Sequence, residues 1–219
     1  MEITEFWTIL SSNNIILDVE QIEQMKRLHK ELKYWNSKVN LISRQDEENL
    51  LERHIMHSLS MLKYIDIPSK ARCLDFGTGG GFPGIPLKIA NPDIYMTLCD
   101  SIRKKLKIAE IFALHTELRN FNFEYGRVEA LTEKKEYKKH FDFIFARAVA
   151  KTVVLIDWTL PLLKDKGKFV FYKGGNLEEE INDAKAKYPQ LDIQEIQIDF
   201  IGFPWFKNEE KKILVINKK

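Results

Sequence analysis

With 219 residues, 44% of them hydrophobic and 30% charged, the chain has the composition of a globular protein with one main core and a small accessory segment. Its apolar runs stay below ten residues, far short of the roughly 20 that a membrane-spanning helix needs. The net charge of +2 neither demands nor excludes a nucleic-acid partner.

Met1-Glu2-Ile3-Thr4-Glu5 is acidic and lacks the basic region of a secretory signal. Cys73 and Cys99 lie in apolar stretches that read as neighbouring strands, which suits reduced core thiols in a cytoplasmic protein better than a disulfide framework. Residues 1–69 read as helical. Asp18 opens an Asp-x-x-Gln pattern that resembles a capping box, and Ile22, Met25, Leu28, Leu32 and Trp35 follow at helical spacing. A second helix is predicted from about Asp46 through Leu50, His54 and Leu59. Nothing here alternates like a strand, so an N-terminal helical subdomain is predicted ahead of a main domain over 70–219.

From residue 71 the pattern becomes strand, loop, helix, repeated. Strands are predicted over 71–76, 94–99, 121–125, 141–146 and 168–172, with helices over 82–90, 102–118, 153–163 and 177–188. The 141–146 segment is almost continuously apolar, as a strand covered on both faces should be. Two last strands, 193–200 and 211–217, have period-two character, and no helix is predicted between them, which suggests an antiparallel hairpin at a sheet edge. The alternation of β and α units argues for a Rossmann-like, mostly parallel sheet of seven strands with helices on both faces.

The run Leu74-Asp75-Phe76-Gly77-Thr78-Gly79-Gly80-Gly81 follows the first strand of that sheet. Glycines there let the backbone turn sharply and approach a ligand at the carboxyl ends of the strands. Gly79-Gly80-Gly81-Phe82-Pro83-Gly84 also fits the dinucleotide pattern G-x-G-x-x-G, a weak signal taken alone. Two features oppose a pyrophosphate. Pro83 and Pro86 remove N–H donors, and the Asp75 carboxylate lies against the loop, where it repels phosphate but attracts the cationic part of S-adenosyl-L-methionine, directly or through water. Asp100, ending the second strand, is placed to accept hydrogen bonds from a ribose diol and supports a nucleoside of either kind. The expected fold is therefore that of a class I S-adenosylmethionine-dependent methyltransferase, with no metal ion.

The residues resemble the RsmG (GidB) family of bacterial small-subunit ribosomal RNA methyltransferases. The similar segments, in order, are Trp35-Asn36 with Asn40-Leu41 (W-N-x-x-x-N-L), Arg53-His54 with Ser58 (R-H-x-x-D-S), and Asp75 to Pro86 (D-x-G-T-G-x-G-x-P-G-I-P). They continue through Asp100-Ser101 with Lys104-Lys105, Arg127-Val128-Glu129, Ala146-Arg147-Ala148 and Tyr172-Lys173-Gly174. The resemblance implies methylation of N7 of a guanine in 16S ribosomal RNA, and a cofactor site at Gly77, Phe82, Val128, Glu129 and Arg147, to which the loop reading adds Asp75, Gly79 and Asp100. One departure stands out: His57 occupies a position where the family usually has Asp, so no fixed negative charge is available there.

Guanine N7 offers a free in-plane lone pair, so no general base is expected. Arg147 and Lys173 are expected to position the reactants. Arg53, His54, Lys104, Lys105 and Arg127 are expected to meet RNA, although His54 reads equally as a core histidine. Residues 71–219 carry 25 Lys and Arg against 21 Asp and Glu, with basic clusters at 103–107 and at 134–140 that fit either phosphates or solvated helix faces. The expected partner is small-subunit ribosomal RNA or the 30S particle, met by a monomer. A small-molecule methyltransferase, an NAD-dependent oxidoreductase and a non-enzymatic RNA-binding module are the rival readings.

Overall fold

The computed structural model describes every residue except 40 and 43, together with all other side chains except those of 44, 45 and 47. Asn40 of the W-N-x-x-x-N-L segment lies outside the described residues. The chain opens with helices α1 (Ile3–Ser12) and α2 (Val19–Asn36). Asp18 caps α2 as its spacing predicts: its side chain accepts from the Gln21 N–H at 2.8 Å, while Gln21 Oε1 accepts from the Asp18 N–H at 2.9 Å. The predicted second helix is instead a chain of short turns, a 3₁₀ stretch over Arg44–Asn49, a π-helical turn over Leu51–Met56, α3 (His57–Leu59) and a second 3₁₀ stretch over Ser60–Lys63.

The remaining elements are β1 (Arg72–Phe76), α4 (Gly84–Ala90), β2 (Tyr95–Asp100), α5 (Arg103–His115), β3 (Phe121–Tyr125), β4 (Phe141–Arg147), α6 (Thr152–Thr159), β5 (Leu163–Gly174), α7 (Glu178–Lys187), β6 (Leu191–Gln197), α8 (Trp205–Asn208) and β7 (Lys211–Lys218). The seven strands form one sheet in the order β3-β2-β1-β4-β5-β7-β6, parallel except that β7 runs antiparallel to both neighbours. Two predictions need correction. The Asp165-Lys166-Gly167 break lies inside β5, because Leu163 already pairs with Phe141 across a register shift in β4. The last two strands do pair antiparallel, but the one-turn α8 lies between them.

Burial on both faces explains the apolar run in β4: Phe143 and Phe145 enter one core, and Ile144 and Ala146 the other. The first core also holds Phe6, Leu10, Met25, Leu28 and Leu32 from α1 and α2. Residues 1–69 thus share a core with the sheet across the predicted boundary. Asn13, buried at the end of α1, donates to the Ile201 carbonyl at 3.0 Å and accepts from its N–H at 2.9 Å, tying down the segment that leads into α8. Cys73 and Cys99 are buried free thiols on adjacent strands. Among the described residues no helix is long and apolar enough to cross a membrane.

Candidate active site

The glycine loop joins β1 to α4 above a buried carboxylate. Asp75 Oδ2 accepts from Thr78 Oγ1 at 2.5 Å and from the Gly84 N–H at 2.8 Å, closing the loop into a ring. Gly84 has no room for a side chain, since a Cβ would stand 2.4 Å from Leu98 Cδ2 and 2.9 Å from Asp75 Oδ2. Gly79, at φ +56°, is different: among the described residues a Cβ there would meet nothing within 4 Å. Its N–H donates to Asp100 Oδ2 at 2.7 Å, and Asp100 Oδ1 accepts from Ile102 N–H at 2.7 Å.

Two cavities meet at Gly77, over the carboxyl ends of the strands. The smaller, of about 270 Å³, is walled by Phe76, Asp100, Arg127, Val128, Glu129 and Trp158. The larger, of about 490 Å³, lies between the loop and the helical segment and is lined by Arg53, His54, His57, Phe82, Lys105, Arg147, Trp205 and Lys211, among others. Asp75 lines neither. Its sequence position suggested a carboxylate facing the ligand, but the fold sets it beneath the loop at 0% exposure. Loss of water pushes its pKa up to about 7, against the opposing pull of Thr78, Gly84 and Arg147. Among the described residues its buried Oδ1 has no hydrogen-bond partner.

Arg147 ends β4 and is held on three sides. Its Nη2 donates to His54 Nδ1 at 3.0 Å, its Nη1 to the His54 carbonyl at 3.4 Å, and its guanidinium lies 5.5 Å from the centre of the Phe82 ring. Because arginine only donates, His54 Nδ1 must be the unprotonated nitrogen. Burial, reinforced by Arg147, lowers the His54 pKa to about 3. His57 is buried among Tyr172, Trp205 and Phe206, with ring centres 5.4, 6.0 and 5.5 Å away, and burial followed by Arg147 holds its pKa well below the usual range. Both imidazoles are therefore neutral at pH 7. Arg53 pairs with Asp46 at 2.6 Å and lies 5.7 Å from the Trp205 ring.

The fold thus gathers Gly77, Gly79, Phe82, Asp100, Val128, Glu129 and Arg147 around the two cavities, with Arg53, His54 and Lys105 on the larger and Arg127 on the smaller. Lys104 is exposed on α5 and lines neither. Lys173 is a correction: its Nζ donates to the Ala150 carbonyl at 2.8 Å and pairs with Glu180 of α7, outside both cavities. Sequence reasoning missed Asp46, Trp205 and Lys211. The cluster of aromatics over 200–206, unusual in a connection, was the available signal for Trp205.

The family profile of GidB, described as rRNA small subunit methyltransferase G, matches residues 21–208. A ribosomal RNA small subunit methyltransferase G of Halalkalibacterium halodurans is 34% identical over 100% of this chain and 92% of its own length. One from Streptococcus pneumoniae is 34% identical over 98% of this chain and 90% of its own. Among solved structures, the ribosomal protein L11 methylase of Lactobacillus delbrueckii subsp. bulgaricus superposes with a TM-score of 0.56 at 18% identity, over 75% of this chain and 77% of that one, a likeness of fold.

Proposed function

Because the chain belongs to the rRNA small subunit methyltransferase G family, we propose that it transfers a methyl group from S-adenosyl-L-methionine to N7 of a guanine in small-subunit ribosomal RNA. The observation that carries this reading is the pair of cavities joined at Gly77, one suited to a nucleoside and one rimmed by cations.

The residues fit the cofactor. Asp100 uses one lone pair on each oxygen for the loop and keeps others for a ribose diol. Val128 offers an apolar wall for adenine beside Glu129, and Gly79, without a Cβ, leaves room for a close approach. Asp75, which accepts from Thr78 and from the Gly84 N–H, fixes the loop backbone that the cofactor approaches. When bound, the cofactor supplies an electrophilic methyl group. Val128, Glu129, Asp100 and Gly77 would hold it. These residues favour a nucleoside cofactor with a cationic centre over a pyrophosphate, and neither the oxidoreductase nor the small-molecule alternative is favoured by the family.

The larger cavity then receives the base. Arg147, fixed by His54 and Phe82, presents guanidinium N–H groups to an acceptor such as guanine O6 or the cofactor carboxylate. Neutral His54 and His57 add no positive charge beside a ring that becomes cationic as N7 is alkylated. With no proton to remove, the protein's contribution is alignment, worth several kcal/mol. The test is a comparison of methylated nucleotides in small-subunit ribosomal RNA from cells with and without the gene. Loss of one N7-methylguanine supports the reading, and an unchanged pattern overturns the substrate. Calorimetry with S-adenosylmethionine and NADH separately tests the cofactor. Buried free thiols at Cys73 and Cys99 agree with a cytoplasmic site of action.

A further inference from the structure

The opposite end of the sheet carries a second cationic surface that the methyl-transfer site does not use. A cavity of about 460 Å³ opens where β1, β4 and β5 begin, with Lys70, Lys164, Lys166 and Lys168 on its walls against two carboxylates, Asp66 and Asp142. Lys164 is neutralised by Asp142 at 2.8 Å. Lys70, Lys166 and Lys168 are exposed, and among the described residues they make no ion pair. Around them stand Arg72, whose Nη1 lies 2.9 Å from His140 Nε2, and Lys139 and Lys218, which share Asp165. Burial first, then Arg72 and Lys164, lower the His140 pKa against the opposing pull of Asp142.

Aromatic surface adjoins the charge. Strand register sets Tyr95 beside Arg72, with the guanidinium 5.8 Å from the ring centre, and Tyr95 is 46% exposed. Unpaired lysines alone would suit any polyanion. An exposed tyrosine flanked by an arginine adds a stacking platform, which a nucleobase uses and a lipid headgroup does not. We propose that the amino-terminal end of the sheet is a second RNA-binding surface, in which Lys70, Lys166 and Lys168 meet phosphates and the Arg72–Tyr95 pair stacks an unpaired base. This inference rests on RNA being the substrate. Because parallel strands place the methyl-transfer cavities at their other ends, this surface grips RNA remote from the target guanine. Two linked contacts raise affinity for a large folded RNA more than either alone.

The test uses the full chain carrying Lys70→Glu, Lys166→Glu and Lys168→Glu together, and separately Tyr95→Ala. Binding to small-subunit ribosomal RNA is measured across a salt series, with S-adenosylmethionine affinity as the check on folding. The triple variant should lose at least tenfold in RNA affinity, and its slope of log affinity against log salt should shrink by about 2, as expected for three phosphate contacts to a single strand. Tyr95→Ala should weaken binding severalfold with the salt slope unchanged. Unchanged RNA affinity and slope in the triple variant, with cofactor affinity intact, overturns the surface. If the unaltered protein neither binds nor methylates this RNA, the substrate reading fails instead.

Discussion

The two ends of the sheet hold charge in opposite physical states. At the carboxyl ends, the Asp75 and Asp100 carboxyl groups are buried and the Arg147 guanidinium is partly buried, each held by named partners. At the amino ends, Lys70, Lys166 and Lys168 stand in water. Desolvated charges are expensive and act as a unit, so losing one partner strands the others. Solvated charges act nearly independently and are weakened by salt. One end is built to position a reaction and the other to add affinity in increments.

The largest departure should follow Asp75→Ala, which strands the Gly84 N–H and the Thr78 hydroxyl inside the loop. A loss of about 3 kcal/mol in unfolding free energy is expected, read by denaturant titration, together with loss of cofactor binding. Arg147→Met should lower methyl transfer about 10²-fold, with thermal stability reduced far less than in Asp75→Ala, because Arg147 faces the cavity while Asp75 holds the loop. Lys173→Met sharpens the contrast, since it breaks the Glu180 pair outside the cavities. Stability should fall by about 2 kcal/mol, while cofactor affinity measured by calorimetry stays within threefold.

Smaller effects come from pH. Asp75, raised to about 7 in the folded chain, contributes stability that is complete below about pH 4 and is lost as pH rises towards 7. His54, lowered to about 3, behaves oppositely: its contribution is present above about pH 6.5 and is lost as pH falls towards 3. Denaturant midpoints of Asp75→Asn and His54→Asn across pH 3–8 should flatten on these opposite sides, and parallel curves would refute the assignment. The smallest effect is expected of the exposed Lys187–Asp157 pair at 2.7 Å, where Lys187→Ala should change stability by about 0–1 kcal/mol.

Much of the site was legible wherever local pattern and local structure coincide. The capping box at Asp18, the βα alternation and the glycine loop all depend on neighbours a few residues apart. Asp75 stands near the end of β1, but its side chain could not be aimed from sequence: nine residues on, the Gly84 N–H donates to it from below the loop. Lys173 was misread for a similar reason, since its partner Glu180 lies on the following helix and wins it away from the cavity. Lys211 was invisible because it reaches the cavity only through the pairing of β7 with β5. The mixed 3₁₀, π and α turns over residues 44–63 have apolar spacing that an ordinary helix would also show.

The placement of β7 carries a cost during synthesis. It follows β6 along the chain yet lies between β5 and β6 in the sheet, so a nascent chain that ends at β6 has no strand to seat it against. Until β7 emerges, the edge of β5 exposes unpaired backbone groups, and Lys211 is missing from the cavity wall. A chain stalled before that point would lack one wall of the cavity and carry an open strand edge prone to aggregate.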